Sequence, residues 1–339
     1  MTARARISRE KPILAVTMGD PGGIGPEVAL KAVSRNSVRR ACRPVLIGDI
    51  AVLRKCAGLL RRPAPLIHAR GMDALPAETS AIPVINPCAS VRAHRWAAVR
   101  GDYGAAAMQY VRYAVRAARA GEADGIVTAP ICKEAIHRAG YRLQGHTDFL
   151  AHLTGVKEHA MMLTGRGLRV VLVTIHVSIV RVSRLITRAA VLRTIRLARD
   201  ACLRMGVRNP RVAVCGLNPH AGEAGAFGRE EITAIVPAIR AAAREGIDAR
   251  GPFPADTFFV ARNRRGFDIV VAMYHDQGLI PLKMLAFDRG VNVTLGLPVV
   301  RTSPDHGTAF DIAGKGVADP ESMTEALLLA ARMCARGNR

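Results

Sequence analysis

The stretch 268–320, DIVVAMYHDQGLIPLKMLAFDRGVNVTLGLPVVRTSPDHGTAFDIAGKGVADP, decides the fold class. Its apolar run, 269–273, is too short for a helix and reads as a buried strand. The run ends in Tyr274, His275, Asp276 and Gln277, so a strand delivers four polar side chains to its C-terminal end. In open α/β sheets that rim is where ligands bind. Lys283, Asn292 and Arg301 follow, and then a Gly-rich loop, 306–316. A plain connector carries fewer polar groups at strand ends.

Working outward, the same strand–helix rhythm fills the rest of the chain. Residues 13–17 read as a first strand, followed by MGDPGGIGPE, 18–27. The glycines allow positive φ and close backbone approach, Pro26 suits a first helical turn, and Glu27 suits a helix N-terminus. The backbone N–H groups of this turn are aimed at a ligand or at a neighbouring loop. The pattern is not the GxGxxG dinucleotide fingerprint, so no Rossmann site is inferred. Strands are expected at 45–48, near Leu66 and Val84, and at 125–130, 169–175 and 212–215. Helices are expected at 51–60, 105–120, 189–205, 229–245 and from Pro320 to Met333, with 251–257 a turn-rich connector. Short apolar runs alternating with helices indicate α/β architecture with parallel strands.

Composition narrows the function. The 339 residues can bury a large core and are enough for two domains. Aromatic residues are only 4%, too few for a platform that stacks single-stranded nucleic acid. The formal net charge of +22 would attract anionic ligands, but the arginines are scattered, as on solvated helix faces. Seven cysteines, an odd count with no CxxC pair, fit a reducing cytoplasm better than a disulfide framework or a cysteine zinc site. The N-terminus, MTARARISREK, is basic but lacks the long apolar run of a signal peptide. No stretch of about 18 apolar residues is present, so no membrane span is expected.

Three histidines share one setting. His176, His220 and His275 each come at or just after the end of an apolar strand. Parallel strands would place all three on one rim. Three imidazoles with an open fourth position make a catalytic divalent-metal site, and Asp276 is an alternative ligand or a partner for an imidazole. A single histidine at a strand end would be read as structural. Lys283, Asn292 and Arg301 add two cations and an amide, and an Arg fork suits phosphate or carboxylate. In GHTD, 145–148, Thr147 or Asp148 can be a helix N-cap, whereas His146 is not explained by capping.

Together, TMGDPGGIGPEV, TAPICKEAIHRAG, GHTDF, VTIH, GLNPHAGEAGAFGREE, GPFPADTFF, AMYHDQGLIPLK and GVNVTLGLPVVRTSPDHGTAFDIAGKGVADP resemble the 4-hydroxythreonine-4-phosphate dehydrogenase family of pyridoxal phosphate biosynthesis. The resemblance covers nearly the whole chain, from Thr17 to about Pro320. GDPGGIGPEV and HGTAFDIAGKG are also similar to segments of β-decarboxylating dehydrogenases such as isopropylmalate dehydrogenase.

The resemblance implies two α/β/α domains, isocitrate/isopropylmalate dehydrogenase-like, with the active site in an interdomain cleft. Residues 1–127 and 284–339 would form the cofactor-side domain, and 128–283 the metal, substrate and dimerisation domain. It implies a cytoplasmic homodimer with shared sites. One divalent metal ion (Zn, Mg or Co) would be held by His176 and His220 of one subunit and His275 of the other. The substrate would contact His146, Thr147, Lys283, Asn292 and Arg301. NAD or NADP would lie along the loop carrying His306, Gly307, Thr308, Asp311 and Gly314. Lys283, His146 and Asp276 are the candidates for catalysis.

The implied reaction is oxidation of 4-phosphooxy-L-threonine, with decarboxylation to 3-amino-2-oxopropyl phosphate. Relatives acting on 4-phospho-D-threonate or 4-phospho-D-erythronate give the alternative, and another branch oxidises aromatic cis-dihydrodiols. The set His146, Lys283, Asn292 and Arg301 favours a phosphorylated substrate. A basic nucleic-acid binder is the reading from another class, and the scattered charge argues against it. No nucleic-acid or membrane partner is expected.

Overall fold

The computed structural model of the chain describes residues 11–60, 64–76, 79–142 and 145–337. They fall into two compact units, one comprising the chain up to Asp148 and again from His306, the other Phe149–Asp305.

In the first unit β1 (Ile13–Thr17), β2 (Arg43–Ile47), β3 (Leu66–His68), β4 (Ile82–Ile85) and β5 (Gly125–Thr128) form a parallel sheet. Their order is β3-β4-β2-β1-β5. The inner strands carry buried residues without alternation, among them Leu14, Ala15, Val16, Leu46, Ile47, Ile126 and Val127. Such runs belong to sheets covered on both faces. The covering helices are α1 (Gly25–Val33), α2 (Asn36–Ala41), α3 (Ile50–Ala57), α4 (Gly101–Arg119) and α5 (Lys133–Arg138). Helix α3 begins where it does because the Asp49 carboxylate accepts from Ala51 N at 2.8 Å and caps the first turn. Helix α6 (His146–Thr154) carries the chain into the second unit.

The second unit contains β6 (Ala160–Gly165), β7 (Leu168–Leu172), β8 (Arg211–Cys215), β9 (Asp248–Phe253), β10 (Ile269–Ala272), β11 (Val291–Leu295) and β12 (Val300–Pro304). Their order is β12-β11-β6-β7-β10-β8-β9. Strands β7, β10, β8 and β9 are parallel, but β6 and β11 run antiparallel to their neighbours. The wholly parallel sheet expected from the sequence is therefore corrected to a mixed one. The cause is local: β6 and β7 are joined by Arg166 and Gly167, both at positive φ (45° and 82°), the geometry of a two-residue hairpin. A second correction concerns 251–257. Its first residues belong to β9, which pairs with β8 at the sheet edge, where Pro252 is tolerated.

The helices of this unit are α7 (Ile179–Leu185), α8 (Arg188–Arg204), α9 (Val236–Arg244), α10 (Ala255–Phe258) and α11 (His275–Ala286). Val170, Leu172, Val270 and Ala272 bury one sheet face against Leu279 and Leu282 of α11. Gly278 makes this approach possible, since a Cβ there would lie 2.5 Å from the Val170 side chain. Helix α12 (Glu321–Gly337) belongs to the first unit again.

The unit boundaries fall later than the 127/128 and 283/284 breaks expected. Strand β11 pairs with β6 from Val291↔Thr164 to Leu295↔Ala160, which keeps both closing strands in the second unit. At the other boundary α5 packs on α4 so closely that a Cβ on Gly104 would meet Ala135 O at 2.2 Å. Among the described residues no helix is long and apolar enough to cross a membrane, and all seven cysteines are free thiols.

Candidate active site

Strands β7, β10 and β8 are parallel neighbours, so their C-terminal ends share one rim of the second unit. His176 follows β7, His275 opens α11 just after β10, and His220 sits in the turn Pro219–Gly225 after β8. The rings of His176 and His275 are 5.7 Å apart, centroid to centroid. They line a cavity of about 200 Å³ together with Thr174, Val182, Tyr274 and Asp276. Asp276 Oδ1 lies 2.7 Å from His275 Nδ1, which orients that ring and leaves Nε2 for another contact. Two imidazoles sharing a divalent ion through bonds of about 2.1 Å have centroids about 5–6 Å apart, so the pair fits such an ion.

His220 does not join this pair. It packs against Phe227 at 6.0 Å, and among the described residues of one chain no three His, Cys, Asp or Glu side chains form a ligand set. Its turn is shaped by Glu231, which the sequence reading did not single out. The buried Glu231 carboxylate accepts from Leu217 N, Asn218 N and Asn218 Nδ2 at 2.7–2.9 Å. His176 and His220 both have left-handed backbone, φ 48° and 51°, a strained state for a residue with a side chain.

The β11–β12 ladder carries the polar set. Asn292 and Thr294 alternate onto one face of β11, and Arg301 Nη1 donates to Thr294 Oγ1 at 2.9 Å. Arg301 is 2% exposed, and burial pushes its guanidinium down to about 9, so it remains a cation at neutral pH. Asn292 Oδ1 is buried and has no hydrogen-bond partner among the described residues. Lys283 reaches the end of β12, where its Nζ pairs with the Asp305 carboxylate and donates to Asp305 O at 3.2 Å. Asp305 was missed because nothing local to Lys283 in sequence marks it.

In the first unit the Gly-rich turn resolves in favour of a neighbouring loop. Ile24 N donates to Thr308 O at 2.9 Å, and a Cβ on Gly23 would sit 2.9 Å from Thr308 Cβ. Asp20 N donates to Pro130 O. The loop 306–316 is held from behind by Glu27 of α1, whose Oε1 accepts from Ala318 N, and by Lys31 Nζ on Gly316 O. Gly314, at φ 78°, backs onto the only tryptophan, Trp96, with a built Cβ 2.4 Å from the indole. Gly307 faces open space, and His306 Nε2 is buried with no partner among the described residues. An open, glycine-lined loop with an unsatisfied imidazole nitrogen suits a bound cofactor. Asp311 is exposed, and His146 opens α6. The side chain of Thr147 lies outside the described residues.

Asp20 in this turn is fully buried. Desolvation, helped by Asp102, pushes its carboxyl up to about 6 despite hydrogen bonds from Gly22 N and the Cys132 backbone. An acid whose folded pKa is raised holds its proton more tightly when folded. Stability then falls as pH rises from about 4 to 6, and the penalty is complete above that. Asp20→Asn is expected to be more stable than wild type at pH 7.5, by on the order of 2–3 kcal/mol, with the difference vanishing near pH 4. Urea unfolding at both pH values checks this; a difference that persists in acid would show that ionisation is not its source.

The comparisons with known proteins bear on this geometry. The family described as "Pyridoxal phosphate biosynthetic protein PdxA" matches residues 40–330. The chain belongs to the PdxA family. It is 46% identical over 333 residues to a 4-hydroxythreonine-4-phosphate dehydrogenase of Trichlorobacter lovleyi, covering 96% of this chain and 98% of that one. It is 44% identical over 326 residues to a D-threonate 4-phosphate dehydrogenase of Cupriavidus necator, with the same coverage. Among solved structures, a 4-hydroxythreonine-4-phosphate dehydrogenase from Burkholderia phymatum superposes with a TM-score of 0.85 at 44% identity, covering 96% of this chain and 99% of that one. These relatives are named as dehydrogenases, and this chain is an α/β member of their family.

Proposed function

We propose that this chain oxidises the secondary alcohol of a short 4-phosphorylated hydroxy acid. The first substrate we assign is 4-phosphooxy-L-threonine. Oxidation followed by loss of CO2 would give 3-amino-2-oxopropyl phosphate, a step in pyridoxal phosphate biosynthesis. Family membership supports the dehydrogenase class. The observation that carries the phosphorylated substrate is the buried cation Arg301, on the strand face shared with Asn292 and with Lys283 at the end of the same ladder. Close identity to a D-threonate 4-phosphate dehydrogenase favours D-threonate 4-phosphate as the second reading.

The chemistry divides among named side chains. Arg301 and Lys283 neutralise phosphate and carboxylate charge, the former as a planar fork. Asn292 Oδ1 is an acceptor for a substrate hydroxyl or amine. His176, His220 and His275 would hold a divalent ion, which when bound makes the alcohol proton more acidic and stabilises charge on the oxygen. NAD or NADP along the loop 306–316 would accept the hydride. The alcohol proton leaves to a base of the site, for which His146 and, in its neutral form only, Lys283 are the candidates. Asp276 fixes the orientation of His275.

A second copy of the chain completes the site in this reading. Exposed apolar side chains flank the histidines: Ile179 and Val180 (67% and 82% exposed) lie just after His176, and Phe227 packs on His220. Met284 and Phe287 are exposed on and beside α11, which His275 opens. Surfaces of this kind mark association sites. The test of function is NADH or NADPH formation from a panel of 4-phosphorylated hydroxy acids, with and without EDTA. Turnover of 4-phosphooxy-L-threonine exceeding that of D-threonate 4-phosphate, abolished by EDTA and restored by a divalent ion, is expected. Equal turnover of an unphosphorylated acid would overturn the assignment.

A further inference from the structure

The first unit has a second concavity at the other end of its sheet. The pairing Ile13↔Arg43 to Thr17↔Ile47 places Arg43 level with the start of β1, whereas the Gly-rich turn follows its end. Five residues of strand, roughly 16 Å, separate the two edges. A cavity of about 970 Å³ opens at the Arg43 edge, where Ile82 begins β4. Four cations line it: Lys11, Arg39, Arg40 and Arg43.

Backbone carbonyls hold three of these cations without neutralising them. Arg39 Nη2 donates to Thr79 O at 3.1 Å, Arg43 Nη2 to Pro76 O at 2.8 Å, and Lys11 Nζ to Arg39 O at 2.9 Å. No acidic side chain is among the described lining residues. Among the described residues no carboxylate is within ion-pair distance of any of the four. Each guanidinium carries five N–H donors, more than the carbonyl contacts among the described residues use. The rest of the wall is partly apolar, with the half-buried Leu75 and Pro83.

Like charges gathered around a concavity repel one another, and an anion that enters relieves the repulsion. The volume lies in the range of small-ligand sites. A nucleic acid or a membrane surface would meet an open basic face; here the cations surround a hollow with an apolar wall. We propose that this cavity binds a small organic polyphosphate of nucleotide size, its phosphates on the four cations and its ring on the apolar wall. The site is separate from the one assigned to the dehydrogenase reaction and does not depend on that assignment.

Calorimetric titration of the full chain with inorganic tripolyphosphate at physiological salt tests the proposal, with GDP against guanosine as the probe of the ring wall. One tripolyphosphate per chain is expected, weakened at least tenfold in Arg40→Gln/Arg43→Gln. Arg40→Gln alone, which removes no carbonyl contact described above, should weaken it at least threefold. The thermal midpoint should rise with tripolyphosphate in wild type and not in the double variant. GDP should bind and guanosine should not. Unchanged affinity in the double variant overturns the site. So does uptake of several tripolyphosphates per chain with equal competition by random duplex RNA, which would assign the binding to the diffuse +22 charge.

Discussion

Arg301→Met is expected to raise KM for the phosphorylated hydroxy acid at least a hundredfold while leaving unfolding stability within about 1 kcal/mol of wild type. The two halves of this expectation have one cause. A guanidinium that is 2% exposed has lost most of its hydration, and burial pushes its pKa down to about 9. The fold carries that desolvation cost, and a methionine does not. Removing the charge relieves that cost and forfeits the guanidinium's contacts, the hydrogen bond to Thr294 among them, and the two offset. Substrate binding loses a charge-assisted, fork-shaped contact, which is among the strongest available to a phosphate or carboxylate. Linkage gives a second signature. For a base whose folded pKa is depressed, the penalty is full below about 9 and fades as pH rises above it. Wild type should therefore gain stability relative to Arg301→Met only in strongly alkaline solution. Arg301→Lys keeps the charge without the fork and should fall between the two in KM. A thermal midpoint lowered by many degrees with KM unchanged would make Arg301 a structural strut.

How far these side chains could be read from sequence depends on how local their causes are. The strand 269–273 was legible because its apolar run and polar ending lie in one short segment, and β10 is there. The first strand, 13–17, was legible for the same reason and matches β1. Strand β6 was not: AMMLTG has Thr164 as its single β-branched residue, and its partner β11 lies some 130 residues away. The antiparallel turn at Arg166–Gly167 was equally hidden, because only the backbone shows that Arg166 has positive φ. The rim position of the three histidines followed from strand ends and parallel order. The contacts that fix the site did not. Glu231 holds the Asn218 turn from 13 residues away, and Asp305 anchors Lys283 from 22 residues away. The glycines of the 18–27 turn were visible, but not what they accommodate: Thr308 packs on Gly23 from the far end of the chain.

Mixed dimers should reveal how the histidines are shared, and the expected result differs from the apportionment that family resemblance implies. The resemblance gives His176 and His220 to one subunit and His275 to the other. Within one chain, however, His176 and His275 are the adjacent pair, 5.7 Å apart, while His220 lies against Phe227. If the proposed site is shared between two copies, this adjacency is kept when His176 and His275 come from one subunit and His220 from its partner. Each single His→Ala variant should lose at least a thousandfold in turnover, along with most of its bound divalent ion. A heterodimer of His176→Ala with His220→Ala subunits then has one site missing two ligands and one intact, and should recover about half of wild-type activity and one ion per dimer. A heterodimer of His176→Ala with His275→Ala has one ligand missing from each site and should recover nothing. The resemblance's apportionment predicts the reverse for both pairs. If neither pair recovers, despite proven subunit exchange, the site is not shared between chains at all. Exposed Ile179, Val180 and Phe227 supply the control for association. Val180→Glu should weaken self-association in sedimentation and reduce activity in proportion to the monomer formed, because a charge buried at an interface without a partner carries a large desolvation cost.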